Sequence, residues 1–291
     1  MKNSCALENF LFFRADDTTL PLLHGHRIPR IGVGTWPLTG DECATMVEKA
    51  VGYGYRLFDT AYKYANEEAV GAGLRASGIP RDEVFITSKF NKEDHSVEGV
   101  QRAYDRSLKT LRVDYLDLFL IHWPVPALDR YVEAWKGLVR LLEEGRVKAI
   151  GVSNFKSHHL QRVVDATGVV PDVDQIQLSV DIARVEQRSF QRAHGILTEA
   201  WSPLGRGGAL LSDPAVTAIA SKYDKSPAQV LLRWHIEEGI VPVPRAGDEK
   251  HLAQNIDVFD FTLSSEDMAT LSGLDQGEEA ARDPDDPANG H

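Results

Sequence analysis

Apolar positions along this chain follow two alternating periods. Val100, Tyr104, Leu108 and Leu111 recur at helical spacing and form one stripe, and residues 115–122 then run almost without a polar break. A stripe followed by a continuous run is the pattern of an amphipathic helix laid on a strand buried on both faces, as in a parallel sheet. The pair recurs. Tyr131, Trp135, Leu138 and Leu142 form the next stripe, Gly145 stops it, residues 147–152 make a strand and residues 156–166 a helix. Upstream, Asp41 is placed to cap a helix running to about Gly52, residues 55–61 form a strand, residues 66–77 a helix closed by Gly78, and residues 84–89 a strand. Downstream, residues 174–180, 196–201 and 240–243 read as strands, separated by helices near 185–194, 214–223 and 227–238.

Residues 18–36 read as two short strands around a His-Gly turn at 24–26, and residues 1–17 form an N-terminal extension without periodicity. Counting from Tyr55, eight strand-then-helix units follow with no linker or shift of composition, which favours a closed parallel barrel over an open doubly wound sheet. The open sheet also needs a Gly-x-Gly-x-x-Gly turn after its first strand. Here Gly32-Val33-Gly34-Thr35-Trp36-Pro37 lacks the third glycine and runs into proline, while Gly71-Ala72-Gly73 lies inside a helix. The expectation is an α/β fold in one domain over residues 18–275, with an acidic C-terminal tail over 276–291.

The 291 residues are 43% hydrophobic, enough for a substantial core. No apolar run approaches the roughly 20 residues of a membrane helix, and residues 9–13 are too short for a signal-peptide core, so a cytoplasmic protein with no membrane partner is expected. Cys5 and Cys43 form neither a metal nor a redox spacing, so no metal site is expected. A net charge of −11 argues against a nucleic-acid binder. Part of that excess is local: Glu278, Glu279, Asp283, Asp285 and Asp286, against Arg282 alone, mark a solvated tail.

Successive apolar strands end in Asp59, Lys89, His122 and the pair Ser153-Asn154, about 30 residues apart, which is the length of one βα unit. Polar residues at matching strand ends point into one shared mouth. Tyr64 follows Asp59 on the connecting loop. A tyrosine, with a pKa of about 10, gives up its proton readily at neutral pH only if its conjugate base is stabilised. Lys89 can do that, Asp59 would keep the ammonium charged, and His122 can hydrogen-bond the same substrate oxygen. Singly, each residue reads as a rim charge or a core side chain. Together they form a site that gives a proton to a developing alkoxide.

The chain resembles the aldo-keto reductases from Thr18 to Leu274. The matching stretches are Gly54-Tyr55-Arg56 through Asp59-Thr60-Ala61, Tyr64, Asn66-Glu67, residues 84–89, Leu116 to the Ile-His-Trp-Pro run at 121–124, Gly151 to Phe155, Gln175, Trp201-Ser202-Pro203-Leu204-Gly205, and 255–261. The resemblance implies a (β/α)8 TIM barrel that transfers hydride from NADP(H) to the carbonyl of an aldehyde or ketone. It implies Tyr64 as general acid, Asp59 and Lys89 as the groups that tune it, and His122 as the group that orients the carbonyl. Ser153, Asn154 and Gln175 would hold the nicotinamide carboxamide and Trp201 would stack on its ring, with Gly34, Thr35, Trp36, Asp59, Ser202 and Leu204 completing the cofactor site. Trp36, Tyr62, His122, Trp123 and part of the tail would line the substrate pocket. The chain looks most like the microbial branch that includes 2,5-diketo-gluconate reductases, which suggests small polar substrates such as keto acids and sugar-derived carbonyls, and a monomer.

Departures from the family pattern refine this. Where relatives that prefer NADPH carry a Lys-Ser pair and a later Arg, this chain has Arg245, Ala246 and His251, with Lys250 and Asn255 nearby. NADP(H) is therefore expected to be discriminated from NAD(H) less sharply than is usual, because Ala246 lacks a hydroxyl and His251 is mostly uncharged near pH 7. Phe90-Asn91 replaces the Leu-Trp common after the strand lysine, and Asp174 replaces the usual Asn. A different reading, a cofactor-binding regulatory barrel with little turnover, is disfavoured because a pure sensor has no need of all four catalytic groups.

Overall fold

The computed structural model describes residues 18–205, 208–245 and 247–290; the expected extension over 1–17 and Ala246 lie outside them. Strands β1 (Thr19–Pro21) and β2 (Arg27–Pro29) form the expected antiparallel hairpin. Eight more strands pair in parallel and in sequence order: β3 (Val33–Gly34), β4 (Leu57–Asp59), β5 (Phe85–Phe90), β6 (Leu116–Ile121), β7 (Val147–Ser153), β8 (Val173–Gln177), β9 (Leu197–Trp201) and β10 (Val241–Val243). Gly32 and Gly34 donate their backbone N–H groups to the carbonyls of Pro242 and Pro244, each at 3.0 Å, and so join the first strand to the last. The approach is close enough that a Cβ on Gly34 would stand 3.0 Å from the Val243 carbonyl oxygen.

Helices α1 (Gly40–Gly52), α2 (Glu67–Ala76), α3 (Val97–Leu111), α4 (Tyr131–Glu143), α5 (Ser157–Thr167) and α6 (Val185–Ala193) each follow one strand. The pair α7 (Pro214–Lys222) and α8 (Pro227–Glu237) follows β9, and α9 (Glu249–Ile256) and α10 (Ser265–Ser272) follow β10. The result is a (β/α)8 barrel, but its first unit starts at Val33, not at Tyr55. With two residues and a glycine on either side of Val33, β3 offers no apolar run, and the stretch read as part of the hairpin is the strand that closes the barrel. Asp41 also lies inside the first turn of α1, where Thr39 is the N-cap.

Strand periodicity sorts the core. Leu57, Phe85, Leu118, Leu120, Ala149, Val173, Val241 and Val243 fill the barrel, and the hairpin's Leu20, Leu22 and Ile28 pack against them as a plug. The alternate residues, among them Phe58, Ile86, Phe119, Ile121, Ile150 and Val152, pack under Val100, Tyr104, Trp135 and Leu138 of the helices. Asp59, Lys89, Gln175 and Glu199 share the inward parity, further along each strand than the plug. Among the described residues no helix is long and apolar enough to cross a membrane.

The acidic stretch is not simply solvated. Gln276 N donates to the Asp181 carbonyl at 3.1 Å, Arg184 pairs with Glu278, Arg282 N donates to Gln177 Oε1 at 2.9 Å, and Lys156 Nζ lies 2.6 Å from Asp283 and 2.7 Å from Asp285. Opposite charges on the loop after β7 and at the start of α6 thus draw the tail along the rim, until Gly290 packs against Val125 and Trp123.

Candidate active site

Lys89, at the inward-facing end of β5, is 0% exposed, so its ammonium must be fully partnered to be tolerated. It is. Nζ lies 2.7 Å from Asp59 Oδ1 and 2.8 Å from Oδ2, 3.0 Å from the Thr60 carbonyl and 3.3 Å from Tyr64 Oη. Burial pulls the Lys89 pKa down, but Asp59 foremost, then Tyr64 and Glu199, outweigh it, and the net direction is up. The cation persists.

Tyr64 ends the turn that follows β4. Burial pushes its phenol above the ordinary value; Lys89 opposes that shift without cancelling it, and Asp59 adds to it. In the free protein Tyr64 is therefore a protonated acid and not a phenolate. The cation is legible in the sequence, but the desolvation that outweighs it arises only in the fold. The His122 ring lies edge-on to Tyr64, with centroids 5.7 Å apart. Burial, followed by the charges of Lys89 and Lys63, lowers the His122 pKa well below its ordinary value, so the ring is neutral.

Hydrogen bonds between loops hold this cluster in place. Thr35 donates through both N and Oγ1 to the Asp59 carbonyl. Asn66 accepts from Thr60 Oγ1 at 2.7 Å and donates to Leu38 O at 2.9 Å, joining the loops after β3 and β4. On the far side, Ser153 Oγ donates to Gln175 O at 2.8 Å, and Asn154 donates to His122 O and Ser153 Oγ while accepting from Trp201 Nε1 at 2.9 Å. Asn154 and Ser202 take left-handed backbone, φ 62° and 55°, where their strands end. Ser153, Asn154, Gln175 and Trp201 are thus one bonded group beside Asp59, Tyr64, Lys89 and His122.

The remaining expected residues are looser. Trp36 is 58% and Tyr62 42% exposed at the mouth, with the Arg106 guanidinium 3.9 Å over the Tyr62 ring; Trp123 and Leu204 are half-buried. Arg245 is exposed where the barrel closes, bridged by its backbone to Gly34, and Asn255 is buried in α9. His251 is exposed and lies 3.1 Å from Asp248, whose carboxylate also caps α9.

Asn91, noted in the sequence only as a departure after Lys89, meets His122, its Oδ1 lying 3.2 Å from Nδ1. One residue escaped the sequence reading altogether. Glu199, 0% exposed, meets Gln175. The signal for Glu199 was a lone acid inside the strand expected over 196–201, at the same parity as Leu197 and Trp201. Elsewhere, ligand atoms of His158, His159 and Asp285 lie within 4.8 Å of one another. His159 Nδ1 accepts the Lys156 backbone N–H at 3.1 Å, so Nε2 carries the ring hydrogen and has no lone pair for a cation. That group ties the tail to α5. A cleft of about 630 Å³ between the tail and the starts of α5 and α6 is likewise lined by paired opposite charges and contains none of this chemistry.

The profile of the Aldo/keto reductase family matches residues 30–276. Methylglyoxal reductase DkgA of Escherichia coli O157:H7 is 44% identical over 272 residues, covering 93% of this chain and 98% of that protein. Among solved structures, apo Gox0644 is 46% identical with a TM-score of 0.86, covering 89% of this chain and 94% of that one. A mutant of Gox0644 in complex with NADPH is 44% identical with a TM-score of 0.88, covering 94% and 98%.

Proposed function

The chain belongs to the aldo/keto reductase family, and from that premise we propose that it is an NADPH-dependent reductase of small polar aldehydes and ketones, dicarbonyls among them. The observation that carries this reading is the buried Lys89 ammonium, fixed by Asp59 and held 3.3 Å from the Tyr64 hydroxyl. The family's cofactor suits the residues present. Gln175, Asn154 and Ser153 gather amide and hydroxyl groups beside the catalytic four, Trp201 is half-exposed next to them, and Arg245 offers an exposed guanidinium for a phosphate. When bound, a reduced nicotinamide supplies the hydride.

The chain's own residues then handle the proton. A carbonyl oxygen placed against Tyr64 Oη gains negative charge during reduction and takes the phenolic proton. The phenolate left behind lies beside the Lys89 ammonium, which stabilises it where water is largely excluded. Asp59 keeps that ammonium in place and charged. His122, being neutral, can orient the carbonyl without competing as an acid. The relationship to a methylglyoxal reductase supports adjacent carbonyls as substrates.

The test is loss of nicotinamide absorbance with NADPH or NADH against a carbonyl panel that includes methylglyoxal, with Tyr64→Phe in parallel. Wild type should turn over methylglyoxal with NADPH, and Tyr64→Phe should lose roughly 10²–10⁴-fold in kcat. Cofactor binding without turnover of any carbonyl would point instead to a regulatory barrel, and full activity in Tyr64→Phe would displace the proton donor.

A further inference from the structure

Gln175 Nε2 lies 2.9 Å from Asp59 Oδ1 and 2.8 Å from Glu199 Oε2. A primary amide nitrogen has two hydrogens and accepts nothing, so both are committed to these two carboxyl groups. Turning the amide over would set its oxygen against the Asp59 carboxylate, which holds Lys89 and has only acceptors to offer. The side chain therefore has one orientation, and any further bond it makes is accepted at Oε1. Strand register builds the arrangement: Gln175 and Glu199 are direct partners across β8 and β9. Glu199 is 0% exposed and, among the described residues, its Oε1 has no hydrogen-bond partner and its one bond is directed to Gln175, so this carboxyl is held in the barrel at a cost in desolvation.

We propose that Glu199 is a positioning residue: with Asp59 it locks the Gln175 amide so that Oε1 is presented as an acceptor to the carboxamide N–H of the nicotinamide. The inference rests on Gln175 being a nicotinamide contact, as read above. It assigns Glu199 a role in setting which way the carboxamide lies, and hence how the ring is held over the carbonyl. The charged groups facing Glu199 are Asp59 from β4 and Lys89 from β5, with Tyr64 acting from the loop after β4. Burial, then the Asp59 charge, push the Glu199 carboxyl up to about 8, so at pH 7 it adds no second negative charge beside Asp59.

The test compares dissociation constants, from quenching of protein fluorescence at pH 7, for NADP⁺ and its 3-acetylpyridine analogue, in which a methyl replaces the carboxamide NH₂. Binding of 2′,5′-ADP, which lacks the nicotinamide, reports on the other end of the site. Wild type should favour NADP⁺ by roughly tenfold, the worth of one buried hydrogen bond. Glu199→Gln, whose amide oxygen still accepts from Gln175, should keep that ratio. Glu199→Ala and the volume-filling Glu199→Met should bring it toward one with 2′,5′-ADP binding unchanged. An unaltered tenfold ratio in both would overturn the lock, and so would an equal loss for all three ligands, which is what a merely structural residue gives. If wild type binds 2′,5′-ADP yet does not distinguish the two dinucleotides, the failure is in Gln175 as a nicotinamide contact, and the inference falls with it.

Discussion

Nδ1 of His122 stands 3.2 Å from Oδ1 of Asn91, one step beyond the register pair Phe90 and Ile121 on adjacent strands. With the amide oxygen facing it, Nδ1 carries the ring hydrogen and Nε2 is a lone pair. A ring in that state accepts from an alcohol; to donate to a carbonyl it needs Asn91 turned over, with Nδ2 toward Nδ1. Asn91 makes no other side-chain hydrogen bond among the described residues, so the turn breaks nothing else. Asn91→Asp removes that freedom by offering only acceptors. At pH 8 carbonyl reduction by the variant should fall roughly 10²-fold, the cost of one lost donor to a developing oxyanion. Asn91→Leu, which leaves the ring free to place its hydrogen on either nitrogen, should lose less. The comparison is kcat/KM for methylglyoxal in the three proteins, and equal rates would remove His122 as a donor.

Besides its proposed part in the reaction, the buried Lys89–Asp59 pair bears on stability. Lys89→Met leaves the Asp59 carboxylate buried without its cation and should destabilise the barrel by about 3 kcal/mol, in line with loss of one partner from a buried pair. Lys89→Met combined with Asp59→Leu should recover most of that in denaturant unfolding while activity stays lost. Failure of the double variant to recover stability would mean that the Thr60 and Tyr64 contacts, and not the ion pair, hold Lys89.

Asp248 bears on cofactor choice. Its carboxylate caps α9 and lies 3.1 Å from His251, within the segment proposed to meet the 2′-phosphate. A carboxylate there repels a phosphate dianion. Asp248→Asn keeps the cap and removes the charge, so the NADPH over NADH ratio of kcat/KM should rise several-fold, a gain of roughly 1 kcal/mol. Arg245→Ala should lower the same ratio. A strong NADPH preference in wild type that His251→Ala leaves untouched would show that the weakened far end is not weak.

Glu199 also sets a pH dependence of stability. Its folded pKa is pushed up to about 8 from an ordinary 4.5, so between these values the native state binds more protons than the unfolded one. The contribution is complete below about 4.5 and is lost as pH rises through 8. Stability of wild type relative to Glu199→Gln should therefore decline across that window and level off above it. Thermal unfolding of both proteins from pH 5 to 9 measures this, and parallel curves would mean that Glu199 is already ionised in the fold.

The sequence by itself determined the alternation of helix and strand, the parallel barrel, and the four strand-end and loop residues of the site. These are local matters: an apolar run, a stripe and a polar residue at a strand end are properties of adjacent letters. It could not show β3, because Val33–Gly34 is a strand only through its neighbours: β4, with which it pairs, and the carbonyls of Pro242 and Pro244, some two hundred residues on. Nor could it show which parity of each strand faces inward, since a strand in this barrel is apolar on both faces. Tertiary structure decided that, and with it placed Glu199 on Gln175 and Asn91 on His122. It also decided that burial outweighs Lys89 at the Tyr64 phenol, because desolvation depends on everything that surrounds a group and not on its neighbours in the chain.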